Sequence, residues 1–283
     1  MRWREGRQSE NVEDRRGISG RGLAFGGGIG SVILIVVALL FGVDPRALFN
    51  GGDSGGSAPG TYATRSANPE EEELKNFSSS VLASTEDVWR DIFQQNGRQY
   101  REPKLVLFTG QVSSACGRSS AAVGPFYCPG DEKVYLDLSF FQELQSRFHA
   151  PGDFAQAYVI AHEIGHHIQK LLGTSDKVDA MQGRISERDA NDLSVRLELQ
   201  ADFYAGVWAR YAEKRGALEV GDIDEALRAA TAIGDDRLQM ESRGYVVPDS
   251  FTHGTSEQRV RWFRKGYETG DIRQGDTFNI RSP

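Results

Sequence analysis

Residues 162–166 read His-Glu-Ile-Gly-His. On a helix, positions i and i+4 lie on one face, so two imidazoles at this spacing can reach one Zn²⁺. Glu163 stands beside them, where a carboxylate can take a proton from a zinc-bound water. With 5 histidines in 283 residues, chance placement produces this pattern in roughly one chain in 150. Tyr158, Val159, Ile160, Ile164 and Ile168 surround it and give the dry, rigid setting that a metal site needs. The competing reading is a helix with incidental histidines.

A catalytic zinc commonly takes three protein ligands and keeps one position open. The continuation H-x-x-G-x-x-H is absent, because Gln169 and Leu172 stand where it needs glycine and histidine. The third ligand must come from elsewhere. The best candidate is Glu198, in Arg196-Leu197-Glu198-Leu199-Gln200-Ala201-Asp202. On a second helix packed against the first, its carboxylate completes a His₂Glu set. Asp202 lies one turn further on the same face and can accept a hydrogen bond from the far nitrogen of a zinc histidine, fixing its tautomer. Leu197, Leu199, Phe203, Tyr204, Val207 and Trp208 make this helix a buried one. A buried carboxylate needs a partner, and a core salt bridge to an arginine is the other reading of Glu198.

Periodicity and capping signals supply the elements that would hold these residues. Positions 70–96 read as a helix with Phe77, Val81, Val88, Trp89 and Ile92 on one face and Gly97 as its stop. Residues 104–108 and 133–138 read as strands. The motif helix starts at Asp153, with Gln156 at the capping-box position, and stops at Gly173. Residues 174–192 read as a polar loop, and a second helix covers about 193–215. A third runs from Asp222, with Glu225 completing a capping box, to about 241. A last one starts at Thr255, with Gln258 at the capping-box position, and reaches about Tyr267. No internal repeat is present.

Composition bounds the class. Hydrophobic residues at 39% and charged residues at 26% permit a packed core. The net charge of −7 argues against a nucleic-acid-binding surface. Leu23 to Val43 carries no charge over 21 residues, enough to cross a bilayer as a helix. No small-residue cleavage site follows, which favours an uncleaved anchor over a cleaved signal or a buried core helix. Arg15, Arg16 and Arg21 precede it and Arg46 alone follows closely, so the positive-inside rule puts the N-terminus in the cytoplasm. The expected organisation is a cytoplasmic segment 1–22, a transmembrane helix 23–43, a glycine-rich linker 44–69 and an extracytoplasmic domain 70–283. Outside the cytoplasm Cys116 and Cys128 are expected to form a disulfide; free thiols or a metal pair are the alternatives.

The H-E-x-x-H motif followed by Glu198-Leu199-Gln200-Ala201-Asp202 resembles the gluzincin group, notably the CaaX-prenyl-protease and HtpX type membrane peptidases with their E-x-x-A-D motif. The wider pattern is similar to the bacterial neutral zinc metallopeptidase family (YpfJ-like). It matches at Pro125–Pro129, Val134–Leu138, His162–Gln169, Arg196–Asp202 and Thr252–Val260, over roughly residues 70–270. That family also shows one N-terminal membrane span. The resemblance implies an α+β, predominantly helical, zincin-like domain with a small β-sheet behind a transmembrane helix. It also implies a Zn²⁺ cofactor. The CaaX-prenyl-protease type has a T-H segment with an arginine six residues later. By that resemblance His253 donates to the oxyanion of the tetrahedral intermediate, and Arg259 holds the loop or pairs with a carboxylate such as Asp202. A structural helix-entry histidine is the alternative. Zincins commonly present an edge strand to extended peptides. By resemblance that strand is Val134, Tyr135, Leu136, Asp137 and Leu138; a plain core strand is the alternative. His167 points about 100° away from His166 around the helix and reads as a packing residue, and His149 as a surface one.

The expected function is a membrane-anchored zinc metallopeptidase acting on a peptide or protein substrate, with His162, His166 and Glu198 as ligands and Glu163 as general base. Two other classes stand beside it: an inactive zincin-fold scaffold at the cell envelope, and a zinc amidase acting on cell-wall peptides.

Overall fold

The computed structural model describes residues 1–17 and 68–283. Helix α1 (Pro69–Gln95) begins where Asn68 accepts a hydrogen bond from the Glu70 amide, with Pro69 in its first turn and Glu70, Glu71 and Glu72 facing the positive end of the helix dipole. Its buried face contains the five apolar residues that the periodicity picked out.

Strand β1 (Val12–Asp14) precedes α1. Strands β2 (Lys104–Phe108), β3 (Gln111–Ser114), β4 (Gly117–Ser120), β5 (Phe126–Cys128) and β6 (Lys133–Asp137) follow it. The main sheet has the order β1-β2-β6-β5, parallel except for the β5–β6 pair, and β3 and β4 form a separate antiparallel hairpin. Strand β6 is therefore interior, with Val134 to Asp137 all buried. The expectation that Val134–Leu138 forms a substrate-binding edge is corrected: Leu138 has left the strand, and the edge on that side is β5.

The remaining helices are α2 (Ser139–Ser146), α3 (Asp153–Leu172), α4 (Thr174–Gln182), α5 (Glu187–Lys214), α6 (Asp222–Ala232), α7 (Asp235–Arg243) and α8 (Ser256–Thr269). They pack with α1 and the sheet around one large core. Three expectations change. Asp153 is the first residue of α3 and not its cap; the Phe154 amide bonds instead to Glu225 of α6 at 3.0 Å. Gly152 has φ +120°, and a Cβ there would lie 2.1 Å from the Glu225 carboxylate. The expected loop 174–192 contains α4 and the start of α5, whose first turns are exposed and so carry no apolar period. The expected helix 222–241 is two helices broken at Ile233-Gly234, where the backbone meets the Ser256 amide. The capping box of Thr255 and Gln258 forms as expected.

The first seventeen residues belong to the folded domain. Trp3 stacks edge-on against Phe77 at 5.5 Å, and Ser80 donates to its carbonyl at 2.7 Å. Val12, Glu13 and Asp14 pair in register with Leu105, Val106 and Leu107. This corrects the expectation of a separate segment 1–22. The uncharged stretch 23–43 and almost all of the linker lie outside the described residues. Among the described residues no helix is long and apolar enough to cross a membrane.

Helices α3 and α5 touch backbone to backbone. A Cβ on Gly165, inside the histidine motif, would stand 2.7 Å from the Ala201 carbonyl oxygen and 2.9 Å from its Cα. Backbone cannot yield as a flexible side chain can, so Gly165→Ala is expected to lower stability by about 1–3 kcal/mol, measured by denaturant unfolding.

Candidate metal centre

The approach at Gly165 brings the one-sided histidine pair of α3 against Glu198 of α5. His162 Nε2 lies 3.1 Å from one Glu198 oxygen and His166 Nε2 lies 3.4 Å from the other. The three ligand atoms fall within 4.8 Å of one another. His162 and Glu198 are buried, and His166 is partly exposed.

The outer nitrogens decide what this cluster can hold. His162 Nδ1 faces Asp202 Oδ1 at 2.8 Å, and an ionised carboxylate only accepts. His166 Nδ1 faces Gln169 Oε1 at 2.9 Å, while Gln169 Nε2 donates to the Leu197 carbonyl at 2.7 Å. Each histidine thus donates its Nδ1–H outward and turns the lone pair of Nε2 toward Glu198. Three acceptors then face one another in a buried space, which requires a cation or a proton among them. Burial opposes charge on His162, but Asp202 and Glu198 outweigh it and hold its imidazole at a pKa of about 10. The separations fit the edge of a tetrahedron, about 3.3 Å for metal bonds of about 2 Å. The donor set and its outer hydrogen bonds therefore fit zinc.

Asp202 has no exposure and is neutralised from three sides. Besides His162 it accepts from Tyr158 at 2.5 Å and from two nitrogens of Arg259 at 2.8 and 3.0 Å. Burial pushes its carboxyl up, but Arg259 and His162 bring it below the usual range. Arg259, on α8, also donates to the Ile233 carbonyl at the α6–α7 break. The arginine expected to hold the loop or to pair with Asp202 takes the second role directly.

Glu163 is buried on the same helix. Burial raises its carboxyl above the ordinary value, against the pull of His166 and His162. Strand β5 packs against this helix, and the backbone of Tyr127 is near enough to pull the carboxyl slightly down. Tyr127 is fixed in turn by His167. His167 Nε2 lies 2.6 Å from the Arg101 carbonyl and so carries the proton; Nδ1 then accepts from the Tyr127 hydroxyl at 3.0 Å. Burial lowers the His167 pKa to about 4, in keeping with this neutral tautomer. A disulfide joins Cys128, the next residue of β5, to Cys116 in the β3–β4 turn.

His253 follows α7 on a loop over α5; a Cβ on Gly254 would meet Val195 and Leu199, which flank Glu198. The loop is set by Asp235, which sequence reasoning missed. Its carboxylate accepts from the amides of Thr252, His253 and Gly254 at 2.7, 2.6 and 3.1 Å and lies 3.2 Å from His253 Nδ1. Burial opposes charge on His253, but Asp235 outweighs it and raises the imidazole. The signal in the sequence was Gly234-Asp235-Asp236, a break followed by acidic residues that can start a new helix. Tyr127 lay within Pro125–Pro129, but its part at Glu163 depends on sheet order. His149 has no part in the centre.

A largely buried His₂Glu cluster on two packed helices, with a carboxylate beside it, is a site that can hold a metal ion. The comparisons narrow the class. The chain belongs to the family described as "Putative neutral zinc metallopeptidase", whose model matches residues 1–278. It is 49% identical to Uncharacterized protein YpfJ of Escherichia coli K12, over 98% of this chain and 99% of that one. It is 45% identical to Uncharacterized protein Rv2575 of Mycobacterium tuberculosis H37Rv and to Uncharacterized protein Mb2605 of Mycobacterium bovis, over 69% of this chain and 68% of theirs. No solved structure matches the chain.

Elemental analysis of the purified chain is expected to give about one zinc per molecule. Glu198→Ala should lose it, and Asp202→Asn should weaken zinc binding roughly 10- to 100-fold by releasing the His162 ring.

Proposed function

We propose that the chain is a zinc-dependent peptidase that hydrolyses peptide bonds. The observation that carries the reading is Glu163: a buried carboxylate beside the ligand cluster that makes no ion pair with a lysine or arginine among the described residues. A purely structural metal site has no use for it. Zinc at this site would act as a Lewis acid, polarising the scissile carbonyl and making water a stronger acid.

The protein groups do the rest. Glu163 takes the proton from the attacking water and passes it to the leaving amine. Its raised pKa suits a group that must hold that proton between the two steps. His253, whose imidazole Asp235 shifts toward the charged form against the effect of burial, can donate a hydrogen bond to the oxyanion. Strand β5 ends the sheet among the described residues, so its free edge can take an extended peptide as a further strand, next to Glu163. This gives the substrate-binding role to β5 and not to β6. The disulfide supports work in an oxidising compartment.

Glu163→Gln is expected to keep its zinc and lose activity on an unstructured protein substrate by at least about 100-fold; undiminished turnover overturns the mechanism. Asp235→Asn should likewise keep zinc and lower kcat roughly 10-fold or more, since the loop loses the charge that positions His253. Steady-state kinetics with a parallel zinc assay checks both.

A further inference from the structure

We infer that residues 1–17 lie on the same side of any membrane as residues 68–283. The inference goes beyond the peptidase reading and does not depend on it.

It rests first on the sheet. The Leu105 amide donates to the Asn11 carbonyl at 2.9 Å, and the Arg15 amide to the Leu107 carbonyl at 2.8 Å. With β1 across a membrane, β2 would become an open edge of apolar residues, an exposed template for aggregation. The second ground is Glu86 on α1, 1% exposed. Its carboxylate accepts from Arg7 at 2.7 Å, Ser9 at 2.5 Å and Asn11 at 2.9 Å, all from the N-terminal segment. A carboxylate in that position needs those donors.

The third ground is the arginines. The positive-inside rule counts basic residues as a free flank of a span. Here Arg4 pairs with Glu73, Arg7 with Glu86 and Asp87, and Arg16 with Asp14 and Glu72. Their charges match carboxylates of α1 and say nothing of a cytoplasmic face. Glu13 adds the reverse pairing, with Lys104 and Lys133 at 3.1 and 2.9 Å.

Finally, the chain leaves and rejoins the domain at one place. Arg16 Nη1 donates to the Glu71 carbonyl at 3.1 Å, and Lys75 pairs with Asp14 at 3.1 Å.

The test uses the full chain in intact cells. Glu5 and Arg243 are exposed, and the two native cysteines are bonded to each other, so Glu5→Cys and Arg243→Cys each supply a lone thiol. A membrane-impermeant maleimide is applied before and after permeabilisation. The expected result is one pattern for both variants: both labelled in intact cells, or both only afterwards. Labelling of one in intact cells with protection of the other overturns the inference. Hydrogen exchange on the purified chain gives an independent check. The Arg15 and Leu105 amides should be protected to a similar degree, and immediate exchange at both removes the strand pairing on which the inference stands.

Discussion

A carboxylate sealed from water must be neutralised by its neighbours, and Asp202 is sealed completely. Its partners come from two other helices: Tyr158 and His162 from α3, and Arg259 from α8. The value of this group is not chiefly stability, because a buried ion pair gives back in desolvation much of what it gains in attraction. Its consequence is orientation. By accepting the Nδ1–H of His162 it fixes which nitrogen faces Glu198, and by holding Arg259 it sets α8 against α3 and α5. Gly165 and the paired approaches at Gly206 and Gly266, where a Cβ would meet backbone at 2.0 Å, let those helices come close enough for the carboxylate to span them.

Two adjacent histidines then serve opposite ends. His166 gives its Nδ1 proton to Gln169 and turns inward. His167, about 100° around the helix, turns outward and fastens Tyr127 of the edge strand. One turn of α3 thus carries a candidate ligand, a candidate base and the clamp for the strand packed beside that base. The neutral form of His167 suits this work, since only it can accept from a hydroxyl while donating to a carbonyl.

The parts legible in the sequence were those written in local spacing. His162, Glu163 and His166 share one helix, Glu198 and Asp202 are one turn apart on another, and the Thr255–Gln258 capping box spans three residues. The illegible parts depend on what arrives from afar. Glu225 looked like a local capping residue and instead bonds to α3. Asp235 sat within an apparently continuous helix, and only the meeting of Gly234 with Ser256 shows why that helix stops. β6 had the alternation of a half-exposed strand, but β2 and β5 flank it on both sides.

Charge was the feature most easily misread, for a physical reason. A sequence reports the sign of a side chain but not its partner, and a solvated arginine and a paired one are written alike. The N-terminal arginines were read as a free basic flank because, besides the neighbouring Glu13 and Asp14, the carboxylates that match them lie on α1, beyond a long glycine-rich interval. Separation along the chain is a weak argument against contact, since the entropy of closing a loop grows only with the logarithm of its length. About 50 intervening residues therefore cost little more than 25, and strand pairing with several charge-assisted hydrogen bonds is enough to offset that cost. The same argument applies to the site itself: Asp202 and Arg259 are far apart in sequence, and the carboxylate that orients His162 is held by an arginine from a different helix.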